Sequence, residues 1–299
     1  MSFEKPTNFV EIICILSENE LKKGSYEKDG KTVEYLGGSI KVKVTQKIGD
    51  SDKVLEIPVH VFTPRLKKDG NANPSYNSWN DVFDMTSIAA AGGEADADAI
   101  RVTGSIAMNE YYGKDDKLVS FPQVKGSFVK KARKDEIKQS ATFKCEGMVR
   151  QKMMEVDKEG NETGRMRVNI CVPQWGGVVD EIPFYVSSAK AIDFISDNWN
   201  LRDTVPFKGK LNFSSTTETK IIESAFGDPE ERNYTISLSE LIINGGDFPL
   251  EDGAYSMEDV QAGLKKREEK LAAEKAKSAN KPKKGATPAK ESDMNDMGF

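Results

Sequence analysis

Alternation of apolar and polar side chains is the feature that most constrains how this chain can fold. Within residues 39–47, Ile40, Val42 and Val44 would lie on one side of an extended chain, with lysine and threonine side chains on the other. A period of two is typical of a β-strand with one buried face. Similar β-rich runs occupy residues 9–16, 54–62, 100–112, 119–130, 143–156, 165–172, 178–186, 204–214 and 234–243. The sequence therefore predicts a mainly β protein.

The order of elements in the second half narrows the fold further. From residue 143 onward, three strands are followed by a helical pattern at residues 188–199 and then by two more strands. Five strands with one helix between the third and the fourth is the order of the OB-fold, a small, partly open barrel. Helical patterns also occur at residues 78–91 and 256–277, and Ser256 with Asp259 three residues later is a good N-terminal cap for the second.

Short matches between the two halves predict two OB-like barrels in tandem. The matches are residues 44–47 with 149–152, residues 59–64 with 168–173, and residues 102–106 with 207–211, at offsets of 105, 109 and 105. A further match, residues 56–58 with 181–183, requires an offset of 125, would align a second strand with a third, and is set aside. A single elaborated β-sandwich is the alternative to this duplication.

The predicted organisation is two β domains, a helix and a tail. The segments are an N-terminal OB-like domain at 1–135, a second OB-like domain at 141–250, a helix at 255–277 and a flexible tail at 278–299. Flexibility is expected because the tail is rich in Lys, Ala, Pro and Gly and has almost nothing to bury.

Charge is distributed unevenly along the chain. Residues 265–290 carry ten Lys or Arg and three Glu, a net charge of +7, whereas residues 291–299 carry three acids and no base. Subtracting these segments from the chain's net charge of −5 leaves −9 for residues 1–264. An acidic body argues against a surface that attracts nucleic acid everywhere, so any such site must be a local groove.

Catalytic and metal-binding patterns are absent from the sequence. The three cysteines are widely spaced, His60 is the only histidine, and no phosphate-binding glycine loop occurs. We therefore predict no catalytic residues, no metal and no cofactor, and hence a protein that is not an enzyme. No apolar run approaches a membrane span and the start does not resemble a signal peptide, which predicts a cytoplasmic protein without a membrane partner.

Outward-facing cations on neighbouring strands are the candidate binding residues. Strand alternation in residues 143–153 and 165–172 turns several basic side chains outward on the first two strands of the second barrel, part of the surface that commonly binds nucleic acid in OB-folds. The alternative is that these cations merely keep the strands soluble. The candidates are Arg150, Lys152, Arg165 and Arg167 in the second half, and Lys41, Lys43 and Lys47 in the first.

Exposed aromatic side chains would supply base stacking, which single-strand binding needs in addition to charge. Tyr111 and Tyr112 follow a strand at the tip of an expected hairpin, and Trp175 lies in the loop Pro-Gln-Trp-Gly-Gly. At the junction of the two halves, Lys130, Lys131 and Arg133 could clamp a strand that passes between the barrels.

The last nine residues, Glu291-Ser-Asp-Met-Asn-Asp-Met-Gly-Phe299, form an acidic tip that ends in an aromatic residue. This tip resembles the tail of bacterial and phage single-stranded DNA-binding proteins, although those tips usually have Pro where Gly298 stands here. The resemblance implies a sequence-tolerant single-stranded DNA-binding protein of replication, recombination and repair, in the host cytoplasm if the gene belongs to a phage. It also implies recruitment of replication and repair proteins through Asp293, Asp296, Met297 and Phe299.

A virion structural or assembly protein with β-rich interaction domains is the alternative function. The sequence leaves open the oligomeric state and the choice between DNA and RNA.

Overall fold

Eleven strands form one hydrogen-bonded sheet in the part of the chain that the computed structural model describes, which is residues 3, 6–113, 117–135, 137–222 and 230–279. In the first half these are β1 (Asn8–Asn19), β2 (Lys22–Lys28), β3 (Lys31–Ile48), β4 (Ser51–Pro64), β5 (Ala99–Tyr112) and β6 (Leu118–Lys131). In the second half they are β7 (Ser140–Val156), β8 (Glu162–Pro173), β9 (Val179–Val186), β10 (Thr204–Ile222) and β11 (Glu230–Gly246).

The first half closes into a five-stranded barrel, here called the N-terminal barrel. Around it the strand order is β1, β3, β4, β6 and β5, and β5 pairs back onto β1. All of these pairs are antiparallel except β4 with β6, which run parallel with Val59 opposite Val124. The extra strand β2 forms a hairpin with β3 and extends beyond the barrel.

The second half repeats this topology as the C-terminal barrel. Its order is β7, β8, β9, β11 and β10, closed by β10 on β7, with one parallel pair in which Ile242 lies opposite Tyr185. In both barrels the third strand pairs with the fifth, and the helical segment falls between the third and fourth strands. This is the OB-fold arrangement, so the predicted fold class of tandem OB-like barrels is confirmed.

The predicted repeat register is wrong over most of its length. Residues 44–47 belong to β3, the second strand of the N-terminal barrel, whereas residues 149–152 belong to β7, the first strand of the C-terminal barrel. Residues 102–106 and 207–211 do lie in equivalent fourth strands, β5 and β10. The match that was set aside also relates equivalent strands, because residues 56–58 and 181–183 lie in the third strands β4 and β9. The predicted register treated the strand at residues 39–47 as the first strand of the N-terminal barrel. The first strand is β1, so residues 39–47 belong to the second.

Two of the three helical predictions are confirmed. The helices are α1 (Pro74–Asn80), a 3-10 turn (Asp81–Asp84), α2 (Ile88–Ala91), α3 (Ala189–Asn198) and α4 (Met257–Ala279). The single helix expected at residues 78–91 is broken into three short pieces, because Ser87 starts a new turn by accepting from the Ala90 N–H and Gly92 ends it at φ 73°. Ser256 caps α4 as predicted, since its hydroxyl accepts from the Asp259 N–H at 3.1 Å.

The two barrels share one core and one sheet. The N-terminal part of β1 pairs with β7 from Asn8 opposite Cys145 to Ile13 opposite Ser140. Between the barrels, the buried amide of Gln46 donates to the Leu211 carbonyl and accepts from the Ala141 N–H, both at 2.8 Å. Because a buried amide left unbonded is costly, this contact fixes the relative position of the barrels.

Helix α4 packs across both barrels. Val260 is buried beside Met148 and Cys171, and Gly263 approaches Val179 of β9 so closely that a Cβ there would lie 2.4 Å from its Cγ2. None of the helices in the described ranges is long and apolar enough to cross a membrane.

Candidate nucleic-acid interface

Three aromatic rings form a cluster on the outer face of the N-terminal barrel. Tyr26 of β2, Tyr35 of β3 and Phe62 of β4 have ring centroids 5.0 to 6.5 Å apart. Phe62 is 64% exposed and Tyr26 is 39% exposed. We call these three residues the aromatic cluster. Large exposed rings in contact with one another form a flat apolar surface on which bases can stack.

Glycine makes room for this cluster. A Cβ at Gly24 would lie 2.8 Å from the Cζ and Oη atoms of Tyr35, and one at Gly37 would lie 3.1 Å from Cε2 of the same ring. The neighbouring Leu36 points inward and is fully buried, so the period of two turns Tyr35 outward. The rings therefore lie flat over a part of β2 and β3 that has no side chains.

His60 continues this outer face along β4 and lies opposite Lys125 of β6. Burial lowers the pKa of His60 and the charge of Lys125 lowers it further, so the imidazole is neutral at pH 7. Removal of water from its ammonium also lowers the pKa of Lys125, with Lys270 of α4 adding to the effect against the opposing charge of Asp180. A neutral ring and a cation thus lie next to the aromatic cluster.

The equivalent strands of the C-terminal barrel carry arginine and one tyrosine. Arg165 of β8 lies with its guanidinium carbon 4.7 Å from the ring centroid of Tyr185 of β9. It also forms ion pairs with Glu240 at 2.8 Å and Glu155 at 3.4 Å. Since two carboxylates already neutralise it, Arg165 mainly positions the Tyr185 ring.

Arg167 is the better placed phosphate ligand of the two. It lies directly opposite Tyr185, and its Nε donates to the Asn169 side-chain oxygen at 3.0 Å. Within the described part of the chain its terminal amino groups make no bond, so they can donate to a phosphate. We call Arg165, Arg167 and Tyr185 the arginine patch.

Lys152 and Arg150 do not join this patch, contrary to the predicted strand alternation. A β-bulge between Val149 and Gln151 shifts the alternation, so Lys152 pairs with the inward-facing Val168. Its ammonium donates to the carbonyls of Ile195 and Ser196 at the end of α3, at 3.1 and 3.2 Å. The prediction that Lys152 faces outward is therefore wrong.

Arg150 remains exposed but lies at the α4 end of the strand. There it lines a cavity of about 150 Å³ together with Leu201, Met257 and Leu264. Met148 faces outward as predicted, opposite Cys171, but it is buried because Val260 of α4 packs over it.

The three lysines predicted on β3 differ in their partners. Lys41 pairs with Glu18 at 2.6 Å, and Lys43 pairs with Glu94 at 2.7 Å. Lys47 is exposed and, among the described residues, has no carboxylate partner. Exposed ion pairs contribute about 0–1 kcal/mol, so a phosphate could replace either carboxylate at little cost.

The predicted aromatic candidates lie in one loop and at the end of one strand. Trp175 is fully exposed in the loop between β8 and β9. Tyr111 is 47% exposed near the end of β5 and meets Phe121 edge-on at 6.4 Å, whereas the Tyr112 ring is covered by the ammonium of Lys275 of α4 at 4.6 Å. Trp175 and Tyr111 can therefore stack on a ligand directly, and Tyr112 requires Lys275 to move.

Of the three cations at the junction of the two halves, two form ion pairs and one lies beside a groove. Lys131 pairs with Asp98 at 2.7 Å and Arg133 pairs with Asp135 at 3.1 Å. Lys130 is exposed beside a groove of about 510 Å³ between α1 and the sheet. The tip residues Asp293, Asp296, Met297 and Phe299 lie outside the described residues.

The aromatic cluster and Tyr185 are the candidate residues that the sequence reasoning missed. Phe62 shares the strand face of His60, which the alternation in β4 already turned outward, so the signal was present. In the described ranges no group of three or more His, Cys, Asp or Glu side chains could hold a metal ion. Burial raises the pKa of all three thiols, that of Cys171 to about 11.

Comparison with solved structures gives two similar proteins, and the first of them supports the fold. The wild-type single-stranded DNA binding protein from Thermus aquaticus is similar with a TM-score of 0.50 and 13% sequence identity, over 85% of this chain and 98% of that chain. A deletion mutant of the Thermus aquaticus protein has a TM-score of 0.45 and 14% identity, over 85% and 98% of the two chains. No curated protein sequence matches. Residues 7–277 match the model of the YorF family, and since this is most of the chain, the protein belongs to the YorF family.

Proposed function

We propose that this protein binds single-stranded DNA without sequence preference, on the outer faces of the second and third strands of both barrels. The observation that carries the proposal is the exposed aromatic cluster on the part of an OB-fold that commonly binds oligonucleotides. A solvent-exposed Phe in contact with two Tyr rings has no packing role that requires it to be there.

The expected energetics follow from these groups. Stacking of a base on an aromatic side chain contributes about 1–3 kcal/mol and tolerates any base, because every base has a π face. Arg167 and Lys47 would add phosphate contacts, each of which makes binding weaker as salt increases. Trp175, Tyr111 and the cations Lys131 and Arg133 would extend the path if the strand continues past the loops.

The wider role is part of the same proposal. We propose a non-enzymatic protein of phage or bacterial DNA replication, recombination or repair, whose tip residues Asp293, Asp296, Met297 and Phe299 recruit partner proteins. The resemblance of the nine-residue tip supports this part. We also propose domain boundaries at 1–135 and 141–250, followed by the helix and the tail, which the repeated topology of β1 to β6 and β7 to β11 supports.

Titration of a fluorescent oligo-dT with the full chain and a Phe62→Ala variant tests the proposal. Loss of one stacked base corresponds to about 5- to 150-fold weaker binding. The matched control is Phe248→Ala, which removes a ring of similar exposure, 60% against 64%, outside the candidate faces. Absence of binding by the wild-type protein, or equal affinities for the two variants, would refute the proposal.

A further inference from the structure

Pairing of β1 with β7 creates a surface that neither barrel has alone. The outward sides of β6, β5, β1, β7 and β10 form one continuous sheet across the two barrels. We call it the shared face and define it by one residue from each strand, in that order Lys130, Arg101, Glu11, Lys144 and Lys208. It is formed from the first, fourth and fifth strands of the N-terminal barrel and the first and fourth of the C-terminal barrel, so it differs from the faces that carry the aromatic cluster and the arginine patch.

Cations lie directly opposite cations on this face. Arg101 of β5 is the register partner of Lys130 of β6, and Lys144 of β7 is the register partner of Lys208 of β10. Like charges in such cross-strand positions destabilise a sheet. Two repelling cation pairs thus lie on the same surface, although residues 1–264 carry a net charge of −9. An anion bound between the two members of each pair would relieve the repulsion.

The spacing of the two pairs suits an extended polyanion better than a small one. Three strand spacings of about 4.8 Å and four residues of about 3.3 Å place the pairs about 20 Å apart. Lys210, two residues beyond Lys208, adds a further positive charge and donates to the Lys47 carbonyl at 2.7 Å. One acid, Glu11, lies between the pairs and is bonded to Arg101 at 2.9 Å.

Apolar rings lie beside both cation pairs. Phe9 of β1 is the register partner of Lys144 and is 43% exposed. Phe128 of β6, also 43% exposed, lines the groove of about 510 Å³ together with Lys130 and Arg101. A ring next to a cation is the combination that binds a base and its phosphate together.

We propose that the shared face is a second binding surface for single-stranded DNA. The inference rests on the proposed function and adds a segment of DNA that the faces on the second and third strands do not hold. Bound phosphates lie between Arg101 and Lys130 and between Lys144 and Lys208, and bases contact Phe9 and Phe128.

Charge reversal gives a test with two independent readouts. The Lys130→Glu/Lys144→Glu variant converts both like-charge pairs into opposite-charge pairs, so its melting temperature should equal or exceed that of the wild type. Its affinity for a long oligo-dT should fall, and the slope of log affinity against log salt should become less negative by about 1.4, or about 0.7 for each lost contact. The ratio of the wild-type affinity to the variant affinity then changes about sevenfold between 50 and 200 mM salt.

Two further variants complete the design. Lys190→Glu, at an exposed position on α3, changes the net charge as much as Lys130→Gln/Lys144→Gln does; it is the matched control for that variant and should keep the wild-type slope. Lys130→Gln/Lys144→Gln removes the charges without reversing them and should give a smaller loss of the same kind. Both double variants replace exposed side chains, so we expect them to fold. Circular dichroism checks this.

The outcomes separate the two proposals. If the double variants bind with the wild-type affinity and slope while Phe62→Ala is weakened, the second surface is refuted and the proposed function stands. If the wild-type protein does not bind oligo-dT, both proposals fail.

Discussion

Arg267 clamps α4 to the N-terminal barrel, and its removal should give a large loss of stability. Its Nε donates to Glu110 Oε2 at 2.6 Å and its Nη2 donates to Oε1 of the same carboxylate. The Glu110 side chain is 6% exposed and that of Arg267 is 21% exposed. In an Arg267→Met variant this carboxylate would remain buried without its cation.

Arg267→Met should lower the free energy of unfolding by about 3 kcal/mol. Removal of one partner of a buried ion pair typically costs 3–5 kcal/mol because the other charge stays uncompensated. The lower end applies because Ser120 still donates to Glu110 at 2.9 Å and because Arg267 is partly exposed. Replacement of both partners should cost less than replacement of Arg267 alone, since no buried charge is left.

The pH dependence of this cost has a defined sign. Burial tends to raise the pKa of Glu110, but the hydrogen bonds and charge of Arg267, together with the Ser120 hydrogen bond and the charge of Lys270, hold the pKa below the usual value. Without Arg267, burial is the largest remaining influence, so we expect the pKa to rise above that of the unfolded chain and the carboxyl to take up a proton more readily when folded. The deficit of Arg267→Met should therefore be full near pH 7 and shrink as the pH falls toward 5.

Urea unfolding at pH 7 and at pH 5 measures these free energies. The proteins to compare are the wild type, Arg267→Met, Glu110→Gln and the double variant. A loss below 1 kcal/mol for Arg267→Met, or a double variant that is less stable than Arg267→Met, would show that the clamp does not hold α4. A deficit that grows at pH 5 would contradict the linkage argument.

Three further predictions concern single side chains. Gly24→Val should displace the Tyr35 ring and weaken oligo-dT binding several-fold with little change in melting temperature; unchanged affinity would speak against stacking there. His60 has a lowered pKa when folded, so stability should decline as the pH falls below about 6.5, and His60→Gln should reduce this decline in urea unfolding; an equal decline in both proteins would assign it to other groups. Trp175→Ala should change stability by less than about 0.5 kcal/mol and weaken oligo-dT binding; loss of stability without loss of affinity would make Trp175 structural.

Much of the fold was predictable because burial follows the alternation so closely. Ile40, Val42 and Val44 are all fully buried, as the period of two requires. Strand β2 was missed because its sequence, Lys-Lys-Gly-Ser-Tyr-Glu-Lys, has no buried face and is held only by pairing with β3. The same reasoning failed on the repeat register, because closure of a barrel depends on which distant strand pairs with β1, and alternation within a strand contains no such information.

The candidate site was less predictable because one extra residue reverses a strand's faces. The bulge after Val149 moved Lys152 to the end of α3, and the packing of α4 buried Met148 on the outer face. Ion pairing was also hidden from the sequence, since Lys41 and Lys43 face outward as expected and yet each has a carboxylate partner from another segment. Local pattern identifies which side chains point outward, whereas the partners are set by the tertiary structure.

The two barrels place different chemistry at equivalent positions. His60 and Tyr185 both lie on the third strand beside the parallel pair, but their partners across the sheet are Ser39 in one barrel and Arg167 in the other. The N-terminal barrel thus offers mainly rings, whose stacking on bases does not depend on charge, and the C-terminal barrel offers a guanidinium, whose contact with phosphate weakens as salt increases. Under the proposed function, the N-terminal barrel would supply a contact with bases that persists at high salt, and the C-terminal barrel a contact with phosphate that is strongest at low salt.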